Sequence, residues 1–224
     1  MNRQNERGLR KLKICGIKDS KTLNFLIKNA VDYFGLIFYE RSPRYVDINK
    51  AYNLTNIAKH TKTKSVGVFV DLPIKKIQKY IDKLNLKLIQ LHGNESDRYI
   101  QDIKNNNNIK IIKNIAIRNK KDLELTKKFL NADYLLFDYK SNSINELPGG
   151  NAKQFDWEII NNLRIEKKWF LSGGINESNI KNALKLKNPY GFDISSGVED
   201  RPGVKNTDKI LKIINIMRKQ KNEY

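Results

Sequence analysis

Along the chain, short apolar runs alternate with longer amphipathic stretches rich in lysine, and the alternation repeats about eight times. The apolar runs are Leu12–Ile17, Tyr33–Phe38, Ser65–Val70, Leu86–Leu91, Ile109–Ile115, Tyr134–Asp138, Trp169–Ser172 and Gly191–Ser195. Each is four to seven residues long and mostly apolar at both parities, which predicts strands buried on both faces of a parallel sheet. Between them, Ile74, Ile77, Ile81 and Leu84 recur at spacings of three and four with Lys75, Lys76 and Lys79 on the other side, the stripe of an amphipathic helix. Similar stripes run through Leu23, Leu26, Ile27 and Ala30, and through Ile210, Ile213, Ile214 and Met217. Cap-forming residues stand ahead of several of them: Asp19 or Ser20 before the first, and Asn176 before Ile180. Eight strand-then-helix units in this length favour an α/β fold closed into a single (β/α)8 (TIM) barrel of parallel strands over an open sheet. No linker or break in composition divides the chain. Residues 11–224 are therefore read as one barrel domain, residues 1–10 as a disordered extension, and the run Asn105–Asn108 as the end of a helix.

Charge complicates this picture. The 224 residues carry 43 Lys and Arg against 24 Asp and Glu, a net charge of +19, enough to build a surface that tracks nucleic-acid phosphates. Lys, Asn and Ile, however, number 33, 28 and 28, and all three use A/T-rich codons. Such a bias scatters lysine over every solvated face, whereas a binding stripe would gather arginine and aromatic residues. Only ten of the cations are arginine, so a nucleic-acid partner is not expected. The single cysteine excludes an internal disulfide, and two histidines leave too few donors for a zinc site of the usual Cys and His type. No apolar run reaches the roughly eighteen residues of a membrane span, and the start MNRQNERGLRKLK lacks a signal's apolar core. A soluble, cytoplasmic protein with no membrane partner is expected.

In such a barrel, chemistry sits where the strands end and the following loops begin. Read in order, those positions offer Cys15, the segment with Arg41 and Arg44, His92, Asp138, and Ser195 with Ser196. The stretches LSGGI and ISSGV follow the seventh and eighth strands, where barrels commonly hold a phosphate. Without side chains in the way, the N–H groups of Gly173, Gly174 and Gly197 can approach phosphate oxygens, and a helix starting just beyond adds its positive end. A small phosphorylated substrate is the partner this pattern suggests.

The segments KICGIKD, GLIFYERSPRYV, SVGVFV, LIQLHG, YLLFD, GGNAKQFDW, FLSGGINESNI and DISSGVEDRPGVKN, in this order from Lys13 onward, resemble the phosphoribosylanthranilate isomerase family of tryptophan biosynthesis. The resemblance covers nearly the whole chain. It implies an Amadori rearrangement of N-(5-phosphoribosyl)anthranilate to 1-(2-carboxyphenylamino)-1-deoxyribulose 5-phosphate, chemistry that needs one acid and one base and no metal or redox cofactor. It implies Cys15 as the base and Asp138 as the acid. It further implies Arg44 on the anthranilate carboxylate and Gln90 and His92 along the ring pocket; the residues themselves suggest Asp193 on a substrate hydroxyl or a loop N–H, and a phosphate cradle of Gly173, Gly174, Ser195, Ser196 and Gly197. One departure stands out: Gly149, Gly150, Asn151, Ala152 and Lys153 replace the family's usual GGTGK or GGSGK, which limits backbone freedom after the sixth strand. Two rivals remain at this point. Another phosphosugar isomerase or lyase on the same barrel would keep the phosphate site without the combination of Cys15, Asp138 and Arg44; a basic RNA-binding scaffold would cluster its cations on one face.

Overall fold

In the computed structural model, which describes residues 10–140, 149, 154–161 and 165–220, eight parallel strands close into a barrel. They are β1 Lys11–Cys15, β2 Tyr33–Ile37, β3 Lys64–Phe69, β4 Leu88–Leu91, β5 Lys110–Ile117, β6 Tyr134–Tyr139, β7 Lys168–Leu171 and β8 Gly191–Ile194. Neighbours in sequence are neighbours in the ring, and β8 returns to β1 with Phe192 opposite Leu12 and Ile194 opposite Ile14. The helices are α1 Ser20–Lys28, α2 Ile48–Ala58, α3 Ile74–Leu84, α4 Asp97–Asn105, α5 Glu158–Asn161, α6 Ile180–Lys185 and α7 Thr207–Lys219.

All eight anticipated strands form, with their ends moved by one or two residues. The first stops at Cys15 because the chain turns at Gly16, whose φ is +83°, and the N–H groups of Gly16 and Ile17 both donate to the Gly35 carbonyl. The helix ending at Asn105 and the stripe of α3 also match: Ile77, Ile81 and Leu84 are buried while Lys75, Lys76 and Lys79 are exposed. Burying each such side chain contributes about 1.5–3 kcal/mol. Asp19 caps α1 by accepting from the Thr22 N–H at 2.7 Å. Asn176 serves differently from the sequence reading. Its Oδ1 accepts from the Ser178 N–H, one turn ahead of α6, and Asn179 is the residue at the helix start.

Two features were not foreseen. The connection from β5 to β6 is a 3₁₀ helix, Lys120–Lys128; of its nine residues Leu123 alone is buried, too little of a stripe to hold the α period. After β8 the chain folds into a small antiparallel hairpin, β9 Glu199–Arg201 and β10 Val204–Lys205, with Lys205 opposite Glu199. Residues 1–9, most of the expected extension, and residues 150–153 of the altered segment lie outside the described residues.

Alternation along each strand sorts the core into two shells. One parity, including Phe34, Leu36, Ile89, Leu91, Phe137 and Phe192, packs outward against Leu23, Leu26, Ile77, Ile180 and Ile210 of the helices. The other parity points into the barrel. There Val66, Leu88, Ile112, Tyr134, Leu136 and Phe170 fill the end nearest the strand starts. Above them the interior becomes polar: Lys13, Gln90, Asn114 and Asp193 are all buried, where such barrels usually stack branched apolar residues.

Candidate active site

Cys15 ends β1 with its side chain 5 % exposed at the barrel mouth. Room for its sulfur comes from β2, where Gly35 lies in register: a Cβ at that position would come within 2.5 Å of Sγ. Burial pushes the Cys15 thiol above its usual range, opposed by the cations of Lys13 and Lys205 and reinforced by Asp193. Lys13 itself is fully buried. Desolvation is the largest effect and opposes its charge, but the Asp193 carboxylate and the Cys15 sulfur together hold the ammonium above its ordinary range. The Lys13 Nζ donates to Asp193 Oδ2 and to Gln90 Oε1, each at 2.8 Å. Asp193 Oδ1 is buried with no hydrogen-bond partner among the described residues.

Asp138, near the end of β6, is 5 % exposed. Its Oδ1 accepts from the Tyr139 N–H at 2.8 Å, and its Oδ2 lies 3.4 Å from His92 Nε2. His92 follows β4 and meets Gln90 through Nδ1 at 2.7 Å. A base candidate on β1 and an acid candidate on β6, three strands apart around the ring, thus stand at the same end of the barrel.

Arg44 is 4 % exposed and already holds a carboxylate of its own chain. Its Nε and Nη2 donate to Glu199 Oε1 and Oε2 at 2.9 and 2.8 Å, a fork-to-fork pair that fixes the guanidinium plane. Glu199 is shared. Lys205 Nζ donates to its Oε1 at 2.6 Å and also to Ser195 O at 3.0 Å. Burial alone would raise the Glu199 carboxyl, but Arg44 and Lys205 hold it below the usual carboxylate range. The same burial depresses Lys205, only partly offset by Glu199. Sequence reasoning assigned no role to Lys13, Glu199 or Lys205, although all three stand inside the segments KICG, SSGVE and PGVK. A signal existed in the hairpin: Glu199 and Lys205 flank a Pro-Gly pair, at a spacing that brings them opposite each other across a turn.

The loops after β7 and β8 approach each other closely. Gly173 and Gly174 both have positive φ, +87° and +67°. Gly197 passes so close to the other loop that a Cβ there would meet the Ile175 carbonyl oxygen at 1.9 Å. The N–H groups of Gly173, Gly174, Ser196 and Gly197 donate to no described residue. Ser195 is different: its hydroxyl donates to the Cys15 carbonyl at 3.1 Å and so ties β8 to the residue that ends β1.

Comparison with known proteins gives one consistent answer. Residues 12–216 match the family model described as N-(5'phosphoribosyl)anthranilate (PRA) isomerase. The N-(5'-phosphoribosyl)anthranilate isomerase of Paramagnetospirillum magneticum is 36 % identical over 208 residues, spanning 92 % of this chain and 96 % of that protein. The crystal structure of phosphoribosyl anthranilate isomerase from Thermotoga maritima superposes with a TM-score of 0.84 at 30 % identity, covering 94 % of this chain and 99 % of that one. A phosphoribosyl anthranilate isomerase in complex with reduced 1-(o-carboxyphenylamino)-1-deoxyribulose 5-phosphate superposes with a TM-score of 0.80 at 28 % identity, with the same coverage.

Proposed function

The chain belongs to the N-(5'-phosphoribosyl)anthranilate isomerase family, and from that premise we propose that Cys15 is its base and Asp138 its acid. The reaction is the Amadori rearrangement of tryptophan biosynthesis, in which N-(5-phosphoribosyl)anthranilate becomes 1-(2-carboxyphenylamino)-1-deoxyribulose 5-phosphate. Asp138 gives its proton to the furanose ring oxygen as the C1–O bond breaks, leaving a protonated Schiff base between C1 and the anthranilate nitrogen. The positive nitrogen acidifies the C2 hydrogen. Cys15, as thiolate, takes that proton, and the C2–H electrons become the C1–C2 double bond of an enolamine. Return of the thiol proton to C1 and of the C2 hydroxyl proton to Asp138 gives the ketone and resets both groups.

The observation that carries this reading is the placement of the one cysteine, at a strand end, beside two buried ammonium groups that favour its thiolate, at the same mouth as a buried aspartate. The substrate phosphate is assigned to the Gly173, Gly174, Ser196 and Gly197 amides, supported by the close approach of their two loops and their lack of other partners among the described residues. Arg44, held flat by Glu199, is assigned to the anthranilate carboxylate, and the orphan Oδ1 of Asp193 to a sugar hydroxyl. A cytosolic site of action accords with the single thiol; among the described residues no helix is long and apolar enough to cross a membrane. The test is growth of a tryptophan auxotroph lacking this isomerase: the wild-type gene restores growth without tryptophan, and Cys15→Ala and Asp138→Asn do not. Failure of the wild-type gene would sink the activity; growth with both variants would sink the residue assignment.

A further inference from the structure

Four polar side chains form an unbroken line across the barrel from β8 to β6: Asp193, Lys13, Gln90 and His92, ending against Asp138. Their donor and acceptor roles are forced by one end. The Lys13 ammonium can only donate, so the Gln90 atom it touches at 2.8 Å is the carbonyl Oε1. The atom Gln90 turns to His92 is then its NH2, which can only donate, and His92 Nδ1 must accept. A ring that accepts at Nδ1 is neutral and carries its one proton on Nε2. That nitrogen is buried, has no hydrogen-bond partner among the described residues, and lies 3.4 Å from Asp138 Oδ2.

We propose that His92 is a positioning residue for Asp138, locked by Lys13 through Gln90 as the neutral Nε2–H tautomer so that its N–H receives the carboxylate Oδ2 formed when the acid gives up its proton. The gap of 3.4 Å closes as charge develops on Oδ2. With Oδ1 already held by the Tyr139 N–H, the aspartate then has one fixed N–H on each oxygen, and Oδ2 is the oxygen that carries the transferable proton. A ring with its proton on Nδ1 would aim a lone pair at that carboxylate and oppose the transfer. This rests on the assignment of Asp138 as the acid.

The chain has two histidines, His60 and His92, so an ¹⁵N-histidine-labelled sample of the full protein shows two rings, and a His60→Gln variant identifies which is which. At neutral pH the His92 Nδ1 is expected at the unprotonated end of the nitrogen shift range and Nε2 at the protonated end. Gln90→Glu, which would accept from both Lys13 and the ring, should move the proton to Nδ1. In steady-state kinetics His92→Ala should lower kcat on the order of 10- to 100-fold, the effect of one hydrogen bond to a charged group, with KM little changed. His92→Gln, which sets an amide NH2 near the Nε2 position, should recover most of it. A wild-type ring protonated on Nδ1 or on both nitrogens overturns the proposal, as does a folded His92→Ala enzyme with near-normal kcat. Near-normal kcat in Asp138→Asn overturns the acid itself and His92's role with it; a wrong tautomer beside an inactive Asp138→Asn overturns this inference alone.

Discussion

At the scale of single residues, the proposed acid and base would act mainly in the transition state, so their loss should depress the chemical step more than binding. Cys15→Ser and Asp138→Asn are each expected to lower kcat by at least about 100-fold with modest change in KM, whereas Arg44→Lys, which keeps charge and loses the fork, should mainly raise KM. Steady-state kinetics on freshly generated substrate, with circular dichroism to establish folding, separates these outcomes. The pH profile carries a sign of its own. Burial raises the Cys15 thiol above the ordinary value of 9.0, so in the free enzyme the reactive thiolate is the minor form at neutral pH. The rate of Cys15 alkylation by iodoacetamide in the free enzyme, which follows the thiolate alone, should therefore keep climbing past pH 9, and a plateau by pH 7 would refute it. The places of Cys15 and Asp138 near the ends of β1 and β6 were legible because the end of an apolar run is a local signal, whereas Arg44, seven residues past β2, stood out only through the resemblance. Lys13 was not legible. A lysine inside an apolar strand reads as a solvated edge until a distant Asp193 is known to sit in register beside it.

Among the elements, the strands were legible as short runs apolar at both parities and the long helices from their period of 3.6, both written in consecutive residues. The hairpin β9–β10 was hidden by its length, since three and two residues carry no period at all. Yet that hairpin delivers Glu199 and Lys205 to the site, and its pairing depends on contacts far away in sequence, with Arg44 above all. The loops after β7 and β8 were legible from their glycines, and their close approach yields a prediction. Gly197→Ala must displace the Ile175 carbonyl, so the two halves of the proposed phosphate cradle move apart. Its KM is expected to rise at least about tenfold with a smaller loss in kcat, as for the removal of a binding contact remote from the chemistry. Isothermal titration with inorganic phosphate on wild type and variant would check that the loss lies at the anion subsite; equal affinities would contradict it.

For the molecule as a whole, the excess of cations has no single address. Exposed lysines stand on α1, α2, α3, α6 and α7, which surround the barrel, at Lys21, Lys50, Lys76, Lys181 and Lys212 among others. Such a surface should bind mixed RNA only weakly at about 150 mM salt; submicromolar affinity with a steep salt slope in a filter-binding assay would mean that the charge has a partner. The larger consequence lies inside. An ionic rung crosses the barrel where branched hydrocarbon would pack better, and removing one end of a buried pair costs about 3–5 kcal/mol, while replacing both ends by apolar residues is often neutral or stabilising. Lys13→Met is thus expected to lower the urea midpoint sharply and Lys13→Met with Asp193→Leu to restore much of it, with activity absent from both. The sequence that would best survive heat and the sequence that turns over substrate therefore part company at this rung, and thermal selection without an activity screen would drift toward an inert, oil-filled barrel.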